Sequence, residues 1–237
     1  MRKNLLLAVI LLSTALTRAQ TPTNFSNGVA QYRDENYTEA LKFFTAAAAE
    51  EPQNAQVPYY MGRIYLDMSD YRKAAGYLEK AIALDSSRSN WIYECGLVYY
   101  AIPDYKRSLQ FIELAGEKGY KRTNDYLENL GNAYVNAGQY AKGAAALDEV
   151  LQKKPADKEL MYQTAQAYYR AGAYQEAIDR WDRLLELDKN NAEVLYMIGL
   201  SFQKKGEKEK GQQLCDRAIQ MNPSLKSQRQ QLGGGAL

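Results

Sequence analysis

Tyrosine and bulky aliphatic residues recur at helical offsets along most of the chain, between small residues that return at a nearly fixed interval. The first set of small residues is spaced by 34 or 35 positions and comprises Gly28, Gly62, Gly96, Gly131, Ala165 and Gly199. A second small residue follows each of them twelve positions later, at Ala40, Ala74, Ser108, Gly143, Ala177 and Gly211. Two antiparallel helices of about 13 residues and two short turns consume roughly 34 residues. The pattern therefore predicts six helix pairs, with the small residues where the two helices approach most closely.

Aromatic residues follow the same register. Five of the six units carry an aromatic residue three positions after the first small residue, at Tyr65, Tyr99, Tyr134, Tyr168 and Phe202. Five units carry a tyrosine nine positions after it, at Tyr37, Tyr71, Tyr105, Tyr140 and Tyr174. Prolines close three units at Pro52, Pro155 and Pro223, as expected of a residue that cannot continue a helix. The aromatic rings are therefore expected to fill the space between one helix pair and the next.

Two segments carry a family resemblance. Residues 130–140 (LGNAYVNAGQY) and 168–181 (YYRAGAYQEAIDRW) closely resemble the tetratricopeptide repeat, or TPR. The resemblance covers residues 21–225 and implies an all-α fold, a right-handed superhelical solenoid of antiparallel helix pairs with a concave binding groove. Pro103 and one extra residue between Gly116 and Thr123 depart from the repeat and predict an irregular junction after the third unit.

The repeat register divides the chain into three parts. Residues 1–19 are predicted to be a signal peptide, residues 20–225 a six-repeat TPR solenoid, and residues 226–237 a short polar, glycine-rich tail. The predicted units are 21–54, 55–88, 89–122, 124–157, 158–191 and 192–225, and positions are counted from the first residue of each, so that Gly28 stands at position 8. The residues outside these units are too few for a second domain.

The first 19 residues have the three regions of an export signal. Arg2 and Lys3 supply positive charge, Leu5 to Leu16 form a short apolar stretch, and Ala19 is a small residue before the expected cleavage point. The uncharged stretch is shorter than the about 20 residues that span a bilayer, although an uncleaved N-terminal anchor is the alternative. No cysteine near the cleavage point could carry a lipid. We therefore expect a periplasmic or secreted protein with no membrane insertion after cleavage.

Composition and charge exclude several functions. Removal of the predicted signal leaves 27 basic and 28 acidic residues, and this balance without a basic stripe argues against a nucleic-acid partner. The chain has no histidine, which excludes a Ser-His-Asp triad, a Cys-His pair and a histidine metal site. Most Asp and Glu residues fall on outward helical positions or in turns. The sequence predicts no catalytic residue, no metal site and no cofactor, and hence a protein that is not an enzyme.

The two cysteines are expected to be free thiols. Cys95 falls in the first helix of the third unit and Cys215 in the second helix of the sixth. Packed helices lie about 10 Å apart, so the two sulfur atoms should be on the order of 30 Å apart. A disulfide needs Cα atoms within about 7 Å. Both cysteines are therefore predicted to be small buried hydrophobic residues.

The resemblance also implies a binding surface. In this family the first helix of each unit lines the concave face through positions 2, 5, 9, 12 and 13. The candidate partner-binding residues are Tyr59, Arg63, Tyr93, Tyr100, Asn132, Asn136, Tyr162, Gln166, Tyr169, Arg170 and Tyr196, with Asn129 at the edge of this face. Tyrosine, arginine and asparagine favour protein interfaces. The position-5 tyrosines (Tyr59, Tyr93, Tyr162, Tyr196) are expected to be partly exposed, and the position-17 tyrosines (Tyr71, Tyr105, Tyr140, Tyr174) to be packed between helices.

The first interpretation of function is a protein–protein interaction scaffold or adaptor of the cell envelope, which binds a peptide or protein partner in this tyrosine-rich groove. Two alternatives stay open. The protein could be a structural subunit of an envelope assembly that engages partners, including copies of itself, through the ends of the solenoid. It could also be an accessory that binds cell-wall material or carbohydrate through stacked tyrosines.

Overall fold

A computed structural model describes residues 23–226, which contain twelve α-helices and no strand. The helices are α1 (Asn24–Arg33), α2 (Tyr37–Glu50), α3 (Gln56–Asp67), α4 (Tyr71–Leu84), α5 (Ser89–Ala101), α6 (Tyr105–Glu117), α7 (Asn124–Asn136), α8 (Tyr140–Leu151), α9 (Lys158–Arg170), α10 (Tyr174–Leu187), α11 (Ala192–Lys205) and α12 (Lys208–Met221). Each odd-numbered helix packs on the helix that follows it, and each of them after α1 also packs on the helix that precedes it. The predicted all-α solenoid of antiparallel helix pairs is confirmed. The predicted signal peptide and most of the predicted tail lie outside the described residues.

Helix starts follow the repeat register. The helices α2, α4, α6, α8 and α10 each begin at the position-17 tyrosine. Asp70 and Asp104 precede α4 and α6, and their carboxylates accept hydrogen bonds from the backbone amides of Lys73 and Arg107, each at 3.2 Å. Such a cap satisfies one of the amide groups that the first helical turn leaves without a partner.

The two helices of a unit cross at the small residues. A Cβ atom added to Gly96 would lie 2.7 Å from the Ile112 side chain and 3.2 Å from the Ser108 carbonyl oxygen. At the last pair, a Cβ atom added to Gly211 would lie 2.5 Å from the Gly199 carbonyl oxygen. Real Cβ contacts are longer than this, so the helix backbones could not approach as closely with larger residues. The predicted role of these small residues is confirmed.

The turn inside each unit contains a residue with left-handed backbone geometry at position 15. Glycine occupies this position in the last three units, with φ of 78° at Gly138, 78° at Gly172 and 101° at Gly206. The first three units have Glu35, Ser69 and Pro103 there, with φ of 59°, 61° and 33°. A side chain makes this conformation costly, and a proline ring restricts φ to about −65°. The first three turns are therefore strained where the last three are not.

Buried apolar residues form three clusters along the described chain. A first cluster joins the opening two units through Phe44, Met61, Ile64 and their neighbours. A long central cluster runs from Ala74 to Phe202. A third lies at the C-terminal end and includes Leu225, which is buried after the last helix. Cys95 and Cys215 are not joined in a disulfide, as predicted, and they are buried in separate clusters.

The connection between α6 and α7 is irregular, as the extra residue predicts. Gly119 has a φ of 87°, and the chain then places Tyr120 against the first helix of the third unit. The ring centres of Tyr120 and Tyr93 lie 4.2 Å apart in a stacked arrangement. No helix within residues 23–226 has the length and apolar character needed to cross a bilayer.

Candidate partner-binding groove

The first helices of the units place their candidate residues in rows that run across unit boundaries. In the first three units, the Tyr32 hydroxyl donates a 2.9 Å hydrogen bond to the Asp67 carboxylate. The Arg63 guanidinium donates to the Tyr59 hydroxyl at 3.2 Å, and its Nε lies 3.1 Å from the Glu94 carboxylate, an ion pair without hydrogen-bond geometry. Burial raises the pKa of the Glu94 carboxyl, although the charge of Arg63 opposes that effect.

The central part of the groove is linked by carboxamides. The Asn129 side chain donates a 2.7 Å hydrogen bond to the Tyr93 hydroxyl, and the Asn136 side chain donates a 2.8 Å bond to the Tyr100 hydroxyl. Each bond joins position 5 or 12 of the third unit to position 6 or 13 of the fourth. These four groove residues therefore hold neighbouring units in register, which leaves fewer of their polar groups for a partner.

The C-terminal half of the groove combines one carboxylate contact with a group of rings. The Tyr162 hydroxyl donates a 2.9 Å hydrogen bond to Glu193, and burial together with this bond raises the pKa of Tyr162 to about 12. Tyr169 packs against Trp181 with ring centres 5.9 Å apart. Arg170 is exposed, and its guanidinium lies 5.8 Å from the centre of the Tyr140 ring.

Two of the four position-5 tyrosines are buried, so the expectation of partial exposure is wrong for them. Tyr93 is only 8% exposed, because Tyr120 of the irregular connection covers its ring. Tyr196 is 2% exposed and belongs to the C-terminal cluster that Leu225 completes. Tyr59 and Tyr162 are half-buried, as expected.

The expectation for the position-17 tyrosines also needs correction. Tyr71 is 39% exposed, because it is the first residue of α4 and adjoins the exposed turn inside the second unit. Tyr105, Tyr140 and Tyr174 are half-buried at the starts of their helices. The rings of Tyr105 and Tyr174 pack edge-on against Tyr100 and Tyr169, respectively. These rings are therefore more exposed to solvent than core residues are.

Two of the four carboxamides among the candidate groove residues make no side-chain hydrogen bond within residues 23–226. They are Asn132 and Gln166, which stand at position 9 of the fourth and fifth units, and both are partly exposed. The half-buried rings of Tyr162 and Tyr169 belong to the same first helix as Gln166, α9, and Asn136 lies one turn from Asn132 on α7. The groove thus has one stretch with free amide donors and acceptors beside aromatic surface.

Sequence reasoning missed the carboxylates that complete the groove. Asp67, Glu94, Glu128 and Glu193 each contact a residue of a neighbouring unit or connection, and Glu128 pairs with Lys154 at 2.6 Å. A usable signal was present, since partners in adjacent units are separated by about one repeat length. No group of three or more His, Cys, Asp or Glu residues in the described part of the chain could hold a metal ion.

Comparison with protein families agrees with this architecture. A tetratricopeptide-repeat model matches residues 31–91, a TPR-repeat model matches residues 165–206, and a further tetratricopeptide-repeat model matches residues 192–225. The chain belongs to the tetratricopeptide-repeat family. No curated protein sequence matches the chain.

Similar solved structures are also TPR proteins. YrrB, described as a TPR protein with an unusual peptide-binding site, is 25% identical, with a TM-score of 0.60 over 76% of this chain and 92% of its own. The MamA protein is 19% identical, with a TM-score of 0.58 over 72% of this chain and 92% of its own. MamA of Desulfovibrio magneticus RS-1 is 22% identical, with a TM-score of 0.55 over 68% of this chain and 91% of its own. The family and the fold support a protein–protein interaction scaffold with a protein or peptide partner.

Proposed function

We propose that this protein is a non-enzymatic scaffold or adaptor of the cell envelope, which binds an extended peptide segment of a partner protein in its concave groove. The observation that carries the proposal is the pair of partly exposed carboxamides, Asn132 and Gln166, which have no hydrogen-bond partner within the described residues. Each offers two donors and one acceptor to a peptide backbone.

The geometry of the repeat suits an extended ligand. Asn132 and Gln166 occupy the same position in successive units, and neighbouring units are about 10 Å apart. An extended chain advances about 3.3 Å per residue, so the two carboxamides would meet backbone groups about three residues apart. Tyr162 and Tyr169 stand one turn before and one turn after Gln166 on α9 and offer ring surface beside it, and tyrosine adds contact area at a low cost in conformational entropy. The description of YrrB as having a peptide-binding site supports the same class of ligand.

The alternative of a subunit that stacks through its ends is less well supported, because both terminal faces are polar. Positions 4, 7 and 11 of the first unit are Asn24, Asn27 and Gln31, whereas nearly all units that follow have apolar or aromatic residues there. At the other end, Gln212 stands at position 21, which is apolar in the other five units, and it donates a 2.7 Å hydrogen bond to Asp216. Polar outer faces are typical of capping repeats.

The carbohydrate alternative is less well supported, because two tyrosines in the first half of the groove already stack on other rings. Tyr59 stacks on Trp91 with ring centres 4.4 Å apart, and Tyr93 stacks on Tyr120. One face of each ring is therefore covered, and a sugar could stack there only by displacing Trp91 or Tyr120. The envelope location rests on the N-terminal segment alone, with its positive start, apolar stretch and Ala19 before the expected cleavage point.

A selection experiment tests the groove directly. Peptides are selected on the purified mature protein from a random display library, and their dissociation constants are measured for the native protein and for Asn132→Ala/Gln166→Ala. We expect the double substitution to weaken binding about tenfold or more, since each lost hydrogen bond is worth about 0.5–1.5 kcal/mol. The matched control, Gln110→Ala/Gln213→Ala, removes two exposed carboxamides from second helices and should change nothing. Equal affinity of the selected peptides for both double variants would contradict the proposed groove.

A further inference from the structure

A cavity of about 530 Å³ opens between α2, α3 and α4, at the junction of the first two units. Its wall is mainly apolar and includes Ala48, Val57, Met61, Tyr77 and Leu84. Because α2 and α4 are second helices, the cavity lies away from the concave groove. Its volume falls within the range of small-ligand pockets.

The same chain shows how an equivalent junction is filled. Between the third and fourth units, position 28 is Gly116, and the Tyr126 side chain from position 3 of the next unit occupies the space above it. The Tyr126 ring is 2% exposed, and its hydroxyl donates a 3.1 Å hydrogen bond to the Ile112 carbonyl oxygen. An aromatic residue therefore fits the hollow that a small residue leaves at position 28.

An ion pair covers that filled junction. Arg122, at position 34 of the third unit, lies 3.0 Å from Glu149, at position 26 of the fourth. The pair joins the connection before α7 to the second helix of the fourth unit, so it closes the outer side of the space that Tyr126 fills.

The corresponding residues at the first junction leave the space open. Position 28 is Ala48, and Val57 replaces tyrosine at position 3. The ion pair is also missing, because position 34 is Asn54, which donates to Glu51 at 2.7 Å, and position 26 is Lys80. Lys80 lies over the Tyr77 ring at 4.7 Å and has no carboxylate partner within residues 23–226. The junction thus lacks a ring in its centre, and the carboxylate in its wall, Glu51, accepts from Asn54 and forms no ion pair with Lys80.

We propose that this cavity binds an aromatic side chain of a partner protein, with a carboxylate next to that residue paired to Lys80. The ring would take the place that Tyr126 fills in the later junction. The carboxylate of the partner would form an ion pair with Lys80. This ion pair would correspond to the one between Arg122 and Glu149 at the later junction. A buried aromatic anchor with one charge at the rim is typical of interface hot spots. The site is separate from the concave groove and does not depend on it.

Two small probes test the two parts of the proposal. The probes are 3-(4-hydroxyphenyl)propionate and its neutral amide, and the signals are the methyl groups of ¹³C-labelled methionine in the mature protein. Met61 lines the cavity, whereas Met161 and Met197 lie in the fifth and sixth units. We expect both probes to shift the Met61 methyl signal in a saturable way, with the other two signals unchanged. The acid should bind about two- to fivefold more tightly than the amide, as expected of an exposed ion pair.

Variants of the cavity identify the site. Val57→Tyr introduces at position 3 the residue that Tyr126 supplies at the later junction. Ala48→Leu introduces at position 28 the residue that the fourth and fifth units have there, Leu151 and Leu185. Both should remove the response of Met61 to the probes and raise the melting temperature, because they fill the space. Ala49→Leu, an exposed neighbour outside the cavity, should do neither. Lys80→Gln should abolish the preference for the acid and keep binding of the amide.

The outcomes separate this site from the groove. Asn132→Ala/Gln166→Ala should leave probe binding unchanged, even if it weakens the selected peptides. Absence of a saturable Met61 shift in the native protein would overturn the proposal without any variant. A shift that persists in Ala48→Leu and Val57→Tyr would overturn the assigned place, and an equal affinity for acid and amide would overturn the role of Lys80.

Discussion

At the scale of single residues, position 15 shows how one backbone angle separates the two halves of the molecule. Gly138, Gly172 and Gly206 adopt positive φ at little steric cost. Ser69 adopts 61° with a side chain, and Pro103 has a φ of 33° although its ring favours about −65°. The helices on either side of each turn impose the angle, since their register is set by the crossing at the small residues. The residue at position 15 therefore adopts an unfavourable backbone conformation in the first three units.

Pro103→Gly should stabilise the protein. Glycine removes the conflict between ring and backbone, which costs of the order of 1–3 kcal/mol. Glycine also raises the entropy of the unfolded chain, and this effect destabilises the folded protein by about 0.5–1 kcal/mol. We expect a net gain of about 1 kcal/mol, which corresponds to about 2–4 °C in melting temperature for a chain of this length. Thermal unfolding followed by circular dichroism measures it.

The matched control is Gly172→Ala, where a side chain is added to a left-handed glycine with open space around it. This variant should lose about 1 kcal/mol or more, because only the backbone conformation opposes the new methyl group. If Pro103→Gly melts no higher than the native protein, the third turn does not carry the strain that its φ indicates.

At the scale of helices, a carboxylate, a phenol and a cation recur where one second helix meets the next unit. The Tyr99 hydroxyl donates to Glu79 at 2.9 Å and accepts from Arg107 at 2.6 Å. Tyr134 makes the same contact with Glu113, with Lys142 over its ring. Tyr168 contacts Asp148, which also binds Arg180. Each group links position 25 of one unit to position 11 of the next, which the spacing of the sequence alone did not reveal.

The last junction lacks the phenol. Position 11 of the sixth unit is Phe202, and Lys210 lies 3.6 Å from the centre of its ring. Asp182 stands at position 25 of the fifth unit, where burial raises the pKa of its carboxyl and Lys210 lowers it in part. We predict that Phe202→Tyr adds a hydrogen bond to Asp182, stabilises the fold by about 0.5–1.5 kcal/mol and lowers the pKa of Asp182. Thermal unfolding and the titration of that carboxyl by NMR check both effects.

Tyr99→Phe is the reverse substitution at an intact junction. It should cost about 1 kcal/mol or somewhat more, since the lost hydroxyl contacts two charged groups. A Phe202→Tyr variant that melts lower, with the pKa of Asp182 unchanged, would mean that the hydroxyl points away from the carboxylate.

At the scale of the whole molecule, the two polar ends favour a single chain in solution. Gln31 at one end and Gln212 at the other stand where the units between them have aromatic or apolar residues. We predict a monomer by light scattering at micromolar concentration. Gln31→Tyr with Gln212→Leu should introduce end-to-end association, because the new faces match those buried between units. A native protein that forms dimers or filaments through these faces would favour the structural-subunit alternative.

The sequence predicted the repeat architecture, the close helix crossings at the small residues and the absence of a disulfide because these depend on the repeat register. It did not predict which groove tyrosines are exposed to solvent. The burial of Tyr93 depends on Tyr120 in an irregular connection, and that of Tyr196 depends on Leu225 beyond the last helix. Both covering residues lie outside the repeated pattern, so the repeat register alone could not reveal them.

The apolar cluster around Phe44, Met61 and Ile64 is separate from the long central cluster, and the cavity beside Ala48 lies at its edge. A repeat protein unfolds in segments when the coupling between neighbouring units is weaker than the cooperativity within them. We expect the first unit to open locally at a lower free energy than the units that the central cluster joins. A partner ring in the cavity would strengthen that coupling, so binding there would lengthen the cooperatively folded part of the solenoid by one unit.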